Sequence, residues 1–585
     1  MEVRQGFEVW VKSSLILSIV LIWCGVLRAQ TQNVDPHPLP SDSQPDAAII
    51  PSDGEGSSYV PVDSWIYSAM DRLHAMGYVD SAYSGLRPWT RLSIAHMLAL
   101  CADRIQTDTN NDEARSIYLA LKREVQPDLD RTTELVHPHW ELESVYSRLR
   151  GIAGTPLRDS FHLGQTIIDD YGRPYEGGFN SYTGFSAHAE GGRLSLYFRG
   201  EVQQAPSATG YTAALAAELS NNVDDIPFAS NPQQYTIPEG PITAAVDARI
   251  MEANLSYHLL GHEVSLGKSD HWLGPDTGAA MLWSNNAEDI YDFEINRVEP
   301  FRIPLLSRLT GPFRYDFFVG SLKGHTYPND PWVHMEKISF KPTPNLEFGF
   351  DRLVIWGGKG HEPITLHTFL HSFFSFQNVT GTEKESPNDP GARFGTFDFS
   401  YRLPYLSHWI TLYTDSLVHD DVSPISAPRR SGVHPGIYLA RVPGLEHLDL
   451  RVEGASTDTP SSNVQSGQFL YYETIQRQGP TNKGFLVGDW VGRQGKGGEV
   501  WLTYHLSPRE ELQFQYRNAK AASAFIPGGT TQNDFIFLIC KRVQKDLEMR
   551  GSVQYEGWKA PIYQTGSQSD TNVTVQLTWF PHVSQ

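Results

Sequence analysis

One stretch of the chain concentrates side chains that are suited to binding sugars. Aromatic rings pack against the C–H face of a sugar ring, while amides and cations donate hydrogen bonds to neighbouring hydroxyl groups. Residues 262–290 supply both kinds of group, in Lys268, His271, Trp272, Trp283, Asn285 and Asn286. These residue types predict a polysaccharide-binding site. The alternative is that the tryptophans fix a loop or form a girdle at a membrane interface.

A group of arginines with few acidic neighbours follows this stretch. It comprises Arg297, Arg302, Arg308 and Arg314. Because guanidinium groups bind anions well, these arginines could contact an acidic polymer, and Arg297 and Arg302 join the candidate binding residues. The alternative is that they point into a barrel lumen and pair with carboxylates there.

Other residue patterns could support metal binding or catalysis, but each is incomplete. His367 and His371 are four residues apart, as two ligands on one helix face would be, yet His361 and Glu362 do not complete a metalloprotease motif. The acidic doublets are expected to be solvated turns; they are Asp169-Asp170, Asp224-Asp225 and Asp420-Asp421. The sequence contains neither a nucleophile elbow nor a phosphate-binding loop. We therefore predict no metal, no cofactor and no enzymatic activity.

The elements that must position these residues are short strands. From residue 136 onward, apolar and polar residues alternate with a period of two, as in Leu194, Leu196 and Phe198. A soluble sandwich would also alternate, but here the polar face carries Arg, Glu and Gln repeatedly, and very short connections alternate with long ones. Residues 136–585 are therefore predicted to form an antiparallel outer-membrane β-barrel of about 18 strands, closed by a last strand from Val573 to Phe580.

The long connections of this barrel are expected to be extracellular. They are predicted at 203–246, 267–311, 355–392, 417–436 and 475–498.

Residues 59–135 read instead as three amphipathic helices that form a small bundle on the periplasmic side. Asp63 is expected to cap the first helix and Thr90 the second, and the third runs from Asp112 to Pro127. This segment also resembles a single S-layer homology module, through the run from Asp63 to Met70 and the later Arg87-Pro88-Trp89-Thr90-Arg91. In that family a Thr-Arg pair and an acidic residue hold cell-wall polymer. The acidic partner is missing here.

Composition and the N-terminus set the broad class. The net charge of −20 disfavours a nucleic-acid partner, and three cysteines are too few for a disulfide framework. Residues 1–29 read as a signal peptide, with an apolar run from Leu15 to Leu27. Residues 30–58 are rich in proline and read as a flexible linker. After Leu27 no apolar stretch is long enough for a membrane-spanning helix, so a membrane crossing requires a β-barrel.

Several short motifs resemble those of the Wzi capsule-assembly family. They are Leu266-Gly267-Lys268, Trp272-Leu273-Gly274-Pro275, Ser284-Asn285-Asn286-Ala287 and the strand Phe348 to Arg352 followed by Trp356-Gly357-Gly358. The resemblance covers most of the chain after residue 58. It implies an outer-membrane, lectin-like barrel with a periplasmic helical bundle, and it adds Trp356 to the candidate binding residues.

Three functions follow as hypotheses. The first is an outer-membrane protein that attaches or organises capsular or extracellular polysaccharide by non-covalent binding, with outer-membrane lipid and cell-wall polymer as further partners. The alternative is a substrate-selective porin that its helical module tethers to the wall. A third hypothesis, a surface glycan-processing enzyme, requires a pair of carboxylates converging in a cleft.

Overall fold

A computed structural model describes residues 54–133, 138–376, 380–404, 406, 410–420, 424–425, 427–459 and 470–581. The predicted signal peptide and residues 30–53 of the expected linker lie outside this range. Residues 54–58 of that linker are described, and Ser57 and Ser58 are buried. The backbone N–H of Ser58 donates to Glu190 over 2.7 Å, which attaches this stretch to the inner wall of the barrel.

From residue 54 onward, where the structure describes the chain, three helices precede the barrel: α1 (Trp65–Ala75), α2 (Arg91–Thr107) and α3 (Asp112–Thr133). The prediction that Thr90 caps the second helix is confirmed, because its hydroxyl accepts from the N–H of Ser93. The prediction of Asp63 as the first cap is wrong by one residue. Ser64 caps α1, while the carboxylate of Asp63 pairs with Arg199 at 2.8 Å.

The third helix continues six residues beyond its predicted end at Pro127. A proline removes one helical hydrogen bond and normally ends or kinks a helix. Here Arg91 holds both sides of the proline, since it donates to the backbone oxygen of Glu124 over 2.5 Å and to Asp128 over 2.8 Å. A tertiary ion pair thus outweighs the local helix-breaking signal.

Eighteen antiparallel strands form one closed sheet, which confirms the predicted barrel. In chain order they are β1 (His139–Gly154), β2 (Gly178–Gly191), β3 (Leu194–Ala205), β4 (Ala245–Leu259), β5 (His262–Lys268), β6 (Tyr291–Asn296), β7 (Phe313–Ser321), β8 (Trp332–Thr343), β9 (Leu346–Trp356), β10 (Ala392–Arg402), β11 (Ile410–His419), β12 (Gly432–Leu439), β13 (Leu448–Ser456), β14 (Gly495–Ser507), β15 (Glu510–Ala521), β16 (Thr530–Gln544), β17 (Leu547–Ala560) and β18 (Gln564–Trp579). The last strand closes the barrel by pairing with β1, with Val145 opposite Trp579.

The two faces of the sheet differ as the alternation predicted. On β18, Val573 and Val575 point outward and are exposed, whereas Asn572 and Thr574 point inward and are buried. The inner face also holds ion pairs, such as Lys337 with Asp398 at 2.8 Å. An apolar outer band around a polar interior is the pattern of a barrel that sits in lipid.

Connections of different length lie at the two ends of the barrel. At the turn end, where α1–α3 also lie, β2 and β3 are joined by residues 192–193, and β8 and β9 by residues 344–345. The opposite end, which we call the loop end, carries the long connections 155–177, 206–244, 269–290, 357–391 and 457–494.

The predicted connections differ from the structure in three details. The predicted loop 267–311 contains β6, connection 155–177 is long although the sequence did not predict it, and the connection predicted at 475–498 begins at residue 457. Shorter elements in the connections are α4 (Ala213–Glu218), a π-helical turn (Leu219–Val223), α5 (Ser307–Thr310), α6 (Leu366–Phe374), α7 (Gly381–Lys384) and two two-stranded ladders, Arg158–Asp159 with Gly164–Gln165 and Thr481–Asn482 with Phe485–Leu486.

Packed chain fills the lumen from both ends. The helices enter from the turn end, and Arg87, which precedes α2, makes two backbone hydrogen bonds of 3.0 and 3.1 Å with Trp272 of connection 269–290. That connection in turn contacts two other long connections. The backbone N–H of Ser284 donates to Val487 of connection 457–494 over 2.6 Å, and the N–H of Tyr171 of connection 155–177 donates to Asn285 over 2.7 Å. Within the described residues, no helix combines the length and the apolar character needed to span a membrane.

Candidate functional site

Most of the sequence-predicted sugar-binding residues lie inside the barrel. His271, Trp272, Trp283, Asn285 and Asn286 all belong to connection 269–290 and are buried. Two of them use their polar atoms for bonds within the protein: the indole N–H of Trp272 donates to the backbone oxygen of Asp276 over 3.1 Å, and Asn286 donates to the backbone oxygen of Leu486 over 3.1 Å. The structure brings these residues together, but there they support a connection that folds into the barrel lumen.

Lys268 ends β5 at the loop end and is also buried. Its ammonium group lies 2.6 Å from Glu288, which also pairs with Arg249 and, at 2.9 Å, with Lys483. Three cations thus share one carboxylate. The negative charges of Asp247 and Asp289 also act on the Arg249 guanidinium. Lys483 is the member of this group that reaches the surface.

The predicted arginine group lies at the other end of the barrel. Arg297, Arg302 and Arg308 belong to the turn-end connection 297–312, and Arg314 follows at the start of β7. Arg314 is buried, donates to the backbone oxygen of Arg297 over 3.0 Å and lies over the ring of Tyr83. The structure therefore separates these arginines from the long connections.

Trp356 lies at the end of β9 and is covered by α6. Its ring lies 5.7 Å from that of Phe369 and 5.2 Å from that of His334. The nearby histidines have separate partners: His361 lies 2.8 Å from Asp389, and His371 lies 3.1 Å from the backbone oxygen of Asn388. They do not converge on a common point.

Most members of the acidic doublets are not the solvated residues that the sequence predicted; Asp225 alone among the described members is mostly exposed, and Asp421 lies outside the described residues. Asp170 pairs with Arg148, Arg150 and Arg173 at 2.7–3.1 Å. Asp224 is buried between His162 and Arg493, and Asp420 pairs with Lys384. The sequence predicted solvated turns because acidic neighbours in a short stretch are usually exposed. It could not show the cations that come from distant parts of the chain.

A different set of residues combines aromatic and cationic groups at the loop end; Tyr235, Lys323 and Lys483 are exposed, whereas Arg477 is mostly buried and pairs with Asp225. We call this set the loop-end surface; it consists of Tyr235, Lys323, Tyr327, Arg477 and Lys483. Tyr235 is 66% exposed, and the side chain of Lys483 is 45% exposed. The backbone N–H of Lys483 donates to the backbone oxygen of Lys323 over 2.7 Å, and the guanidinium of Arg477 lies 4.8 Å from the Tyr327 ring centre.

A tight turn presents Lys483. It lies between the two strands of the Thr481–Asn482 ladder, and both central residues have positive φ, +51° for Lys483 and +91° for Gly484. Glycine suits the second position because a Cβ there would also collide with the backbone oxygen of Tyr235. The turn is thus fitted against Tyr235.

Hydrogen bonds lock the three connections that form the loop-end surface. The Gln478 side chain accepts from the backbone N–H of Thr326 over 2.6 Å and donates to Thr236 over 3.2 Å. His325 lies 2.8 Å from the backbone oxygen of Thr481. Burial lowers the pKa of His325 to about 4, so its ring is neutral and Nε2–H donates to that oxygen. The surface is therefore held in place before any ligand arrives.

The chemistry of this surface suits an acidic or hydroxyl-rich ligand. Tyr235 offers a ring face, and Lys323 and Lys483 offer charge on either side of Gly324. Partial burial and the charge of Arg249 lower the pKa of Lys483. An anion placed beside Lys483 would offset that repulsion.

A cavity of about 570 Å³ lies deeper, between the helical segment and the inner wall of β13–β17. Polar side chains such as Arg72, Asp449 and Arg550 line it, and it extends to Trp272 and Asn285. Two of the predicted sugar-binding residues thus border an internal space.

Sequence reasoning missed the loop-end surface because its members come from three connections far apart in the chain. The one local signal was the Asn482-Lys483-Gly484 turn, which fits the pattern of a two-residue hairpin loop. The tryptophans directed the prediction to other residues, because the sequence does not show that these large apolar rings pack inside the lumen.

Comparisons with known proteins agree with this fold. Residues 148–573 match the family model described as capsule assembly protein Wzi. An uncharacterised 55.8 kDa protein in the cps region of Klebsiella pneumoniae is 26% identical over 161 residues, which cover 27% of this chain and 31% of that protein. The matching stretch thus spans about a third of the relative's length.

A solved structure has the same architecture. It is that of Wzi, an outer membrane protein involved in group 1 capsule assembly in Escherichia coli and a carbohydrate-binding β-barrel. It covers 89% of this chain and 99% of its own, with a TM-score of 0.63 and 14% sequence identity. The family match over most of the barrel decides the assignment: the chain belongs to the capsule assembly protein Wzi family.

Proposed function

We propose that this outer-membrane barrel attaches or organises capsular or extracellular polysaccharide at the cell surface by non-covalent binding through the loop-end surface. The observation that carries the proposal is the exposed ring of Tyr235 against the turn that carries Lys483, which is bonded to Lys323, on connections that are already locked. The carbohydrate binding named for the E. coli protein supports the same class of ligand.

Binding without catalysis is the second part of the proposal. Neither the sequence motifs nor the loop-end surface requires a reaction, and family membership supports a role in assembly. The packed lumen weighs against the alternative of a substrate-selective porin. Contact of the barrel with outer-membrane lipid follows from its apolar outer band. Attachment to cell-wall polymer through the helical segment stays a prediction, since Arg91 is buried against Asp128.

The experiment measures binding of the purified full chain, in detergent or nanodiscs, to the extracellular polysaccharide of its own host. Tyr235→Ala should weaken binding about three- to tenfold, because an aromatic contact is worth about 0.5–1.5 kcal/mol. The double variant Lys323→Gln, Lys483→Gln should weaken binding of an acidic polymer and flatten its dependence on salt, because screening acts on charge pairs.

Two variants serve as controls. Lys359→Gln removes the same charge at the loop end from a side chain that is 77% exposed and pairs with Asp330 instead. Arg302→Ala tests the sequence-predicted arginine at the turn end. Both should bind like the wild type. Absence of saturable binding by the wild type would refute the function. Wild-type affinity in both Tyr235→Ala and the double lysine variant would place the binding site elsewhere.

A further inference from the structure

One imidazole inside the barrel faces two carboxylates that have no hydrogen-bonded cation. His271 lies on connection 269–290, Glu294 on β6 and Asp316 on β7, and all three are buried. Their ligand-type atoms lie within 4.8 Å of one another. Nδ1 of His271 is 3.9 Å from a carboxylate oxygen of Asp316.

The hydrogen bonds orient the ring toward these carboxylates. Nε2 of His271 lies 2.9 Å from Asp292, so the neutral tautomer protonated at Nε2 donates there and leaves the Nδ1 lone pair free to coordinate. A metal-bound histidine commonly donates its other N–H to a carboxylate, which fixes ring orientation. The ring also stacks on Phe318, with centroids 4.1 Å apart.

The facing atoms have no side-chain donor among the described residues. No described side chain donates a hydrogen bond to either carboxylate oxygen of Asp316, to Oε2 of Glu294 or to Nδ1 of His271. Arg314 is near, but it donates to the backbone oxygen of Arg297 and to Asn296. With Asp292, three buried carboxylates face one histidine. Burying carboxylates without cations costs several kcal/mol each.

We propose that His271, Glu294 and Asp316 bind one divalent transition-metal ion of the zinc class, with Asp292 positioning the imidazole. Imidazole with carboxylates suits zinc, whereas calcium and magnesium prefer oxygen ligands throughout. Bond lengths of about 2.1 Å place tetrahedral ligands about 3.4 Å apart, so the observed separations need only small side-chain shifts.

Such an ion would attach connection 269–290 to the barrel wall. His271 is the ligand from the connection, and β6 and β7 supply the other two. The proposal is independent of polysaccharide binding at the loop-end surface. The competing account is that the carboxylates hold a protonated imidazole: burial lowers the pKa of His271, but the bond to Asp292 and the neighbouring carboxylates raise it to about 10.

The test measures metal bound by the full chain, purified without a histidine tag. The protein is stripped with a chelator, dialysed and titrated with Zn²⁺, and bound metal is counted by elemental analysis. Co²⁺ as a probe reports nitrogen and oxygen ligation by its visible absorption. We expect about one equivalent of zinc per chain and a cobalt spectrum typical of a four-coordinate site.

Matched variants locate the ion. His271→Gln and Asp316→Asn should each weaken zinc binding at least tenfold. His258→Gln should not, although His258 is also a buried lumenal histidine, 2.9 Å from Glu263. Heat-modifiable migration on gels shows whether each barrel is folded. If His271→Gln fails to fold, the zinc stoichiometry of the wild type and the zinc affinity of Asp316→Asn still test the proposal. Failure of the wild type to bind stoichiometric zinc, or unchanged affinity in folded Asp316→Asn, would overturn the proposal.

Discussion

His162 tests how the long connections are held together. Nδ1 of its ring lies 3.0 Å from Asp159 and Nε2 lies 2.9 Å from Asp224, and none of the three side chains is exposed. Burial alone lowers the pKa of an imidazole, but the two carboxylates raise the pKa of His162 from 6.5 to about 9. At neutral pH the protonated ring therefore joins connection 155–177 to connection 206–244.

The sign of the pH dependence follows from this shift. Because the folded-state pKa is higher than the unfolded one, the stabilisation is complete below pH 6.5, decreases as the pH rises and is lost above about pH 9. At about 1.4 kcal/mol per pKa unit, the interval from 6.5 to about 9 corresponds to about 3.5 kcal/mol, or roughly a 300-fold change in the opening equilibrium. Arg493 keeps its 2.6 Å bond to Asp224, so the loss belongs to the imidazole.

Hydrogen exchange of the two connections measures this opening. Between about pH 7 and pH 9.5, on either side of the folded pKa, amides there should lose protection beyond the intrinsic increase in exchange rate. His162→Gln should lack this extra pH dependence because its side chain does not titrate. His325→Gln is the matched control, since the pKa of His325 is lowered to about 4. An identical pH dependence in wild type and His162→Gln would refute the reasoning.

Three further outcomes are expected. Gly484→Ala should displace Tyr235 and so weaken polysaccharide binding, while the melting temperature of the barrel stays unchanged. Gly360→Ala is the control and should bind normally, because Gly360 also has a positive φ, +92°, but a Cβ there would have no neighbour within 4 Å. Arg72→Ala should destabilise the docking of α1 by about 3 kcal/mol, because Arg72 is buried against Glu113 at 2.7 Å and Asp449 at 3.3 Å; limited proteolysis of the helical segment reports this. In planar bilayers the full chain should conduct far less than an open barrel of equal strand number, and a large steady conductance would contradict the packed lumen.

The barrel could be predicted from sequence because its signal is local. Each strand places one residue in lipid and the next in the lumen, so the alternation survives without knowledge of any partner strand. Even β6 carries it, with Tyr291 and Phe293 outward and Asp292 and Glu294 inward. The prediction missed β6 because it is only six residues long and lies between two connections.

The candidate site could not be predicted in the same way, because residue type does not show which aromatic rings stay exposed. Trp283 is as suitable for sugar stacking as Tyr235, yet it packs in the lumen against His271 and Phe318. The choice between them depends on the inward fold of connection 269–290. That fold depends on contacts with the helical segment and with residues 470–494.

Those same contacts connect the two ends of the molecule. Arg87 beside α2 bonds to Trp272, the connection that contains Trp272 also contains Glu288, and Glu288 holds Lys483 at the loop end. A surface that is already ordered before binding loses less conformational entropy when it binds a flexible polymer. The helical segment and connection 269–290 therefore help to fix the position of Lys483 beside Tyr235, and under the proposed function they would contribute to binding without contacting the ligand. A barrel whose lumen is packed is better suited to this role than an open one, because its loops have a rigid base.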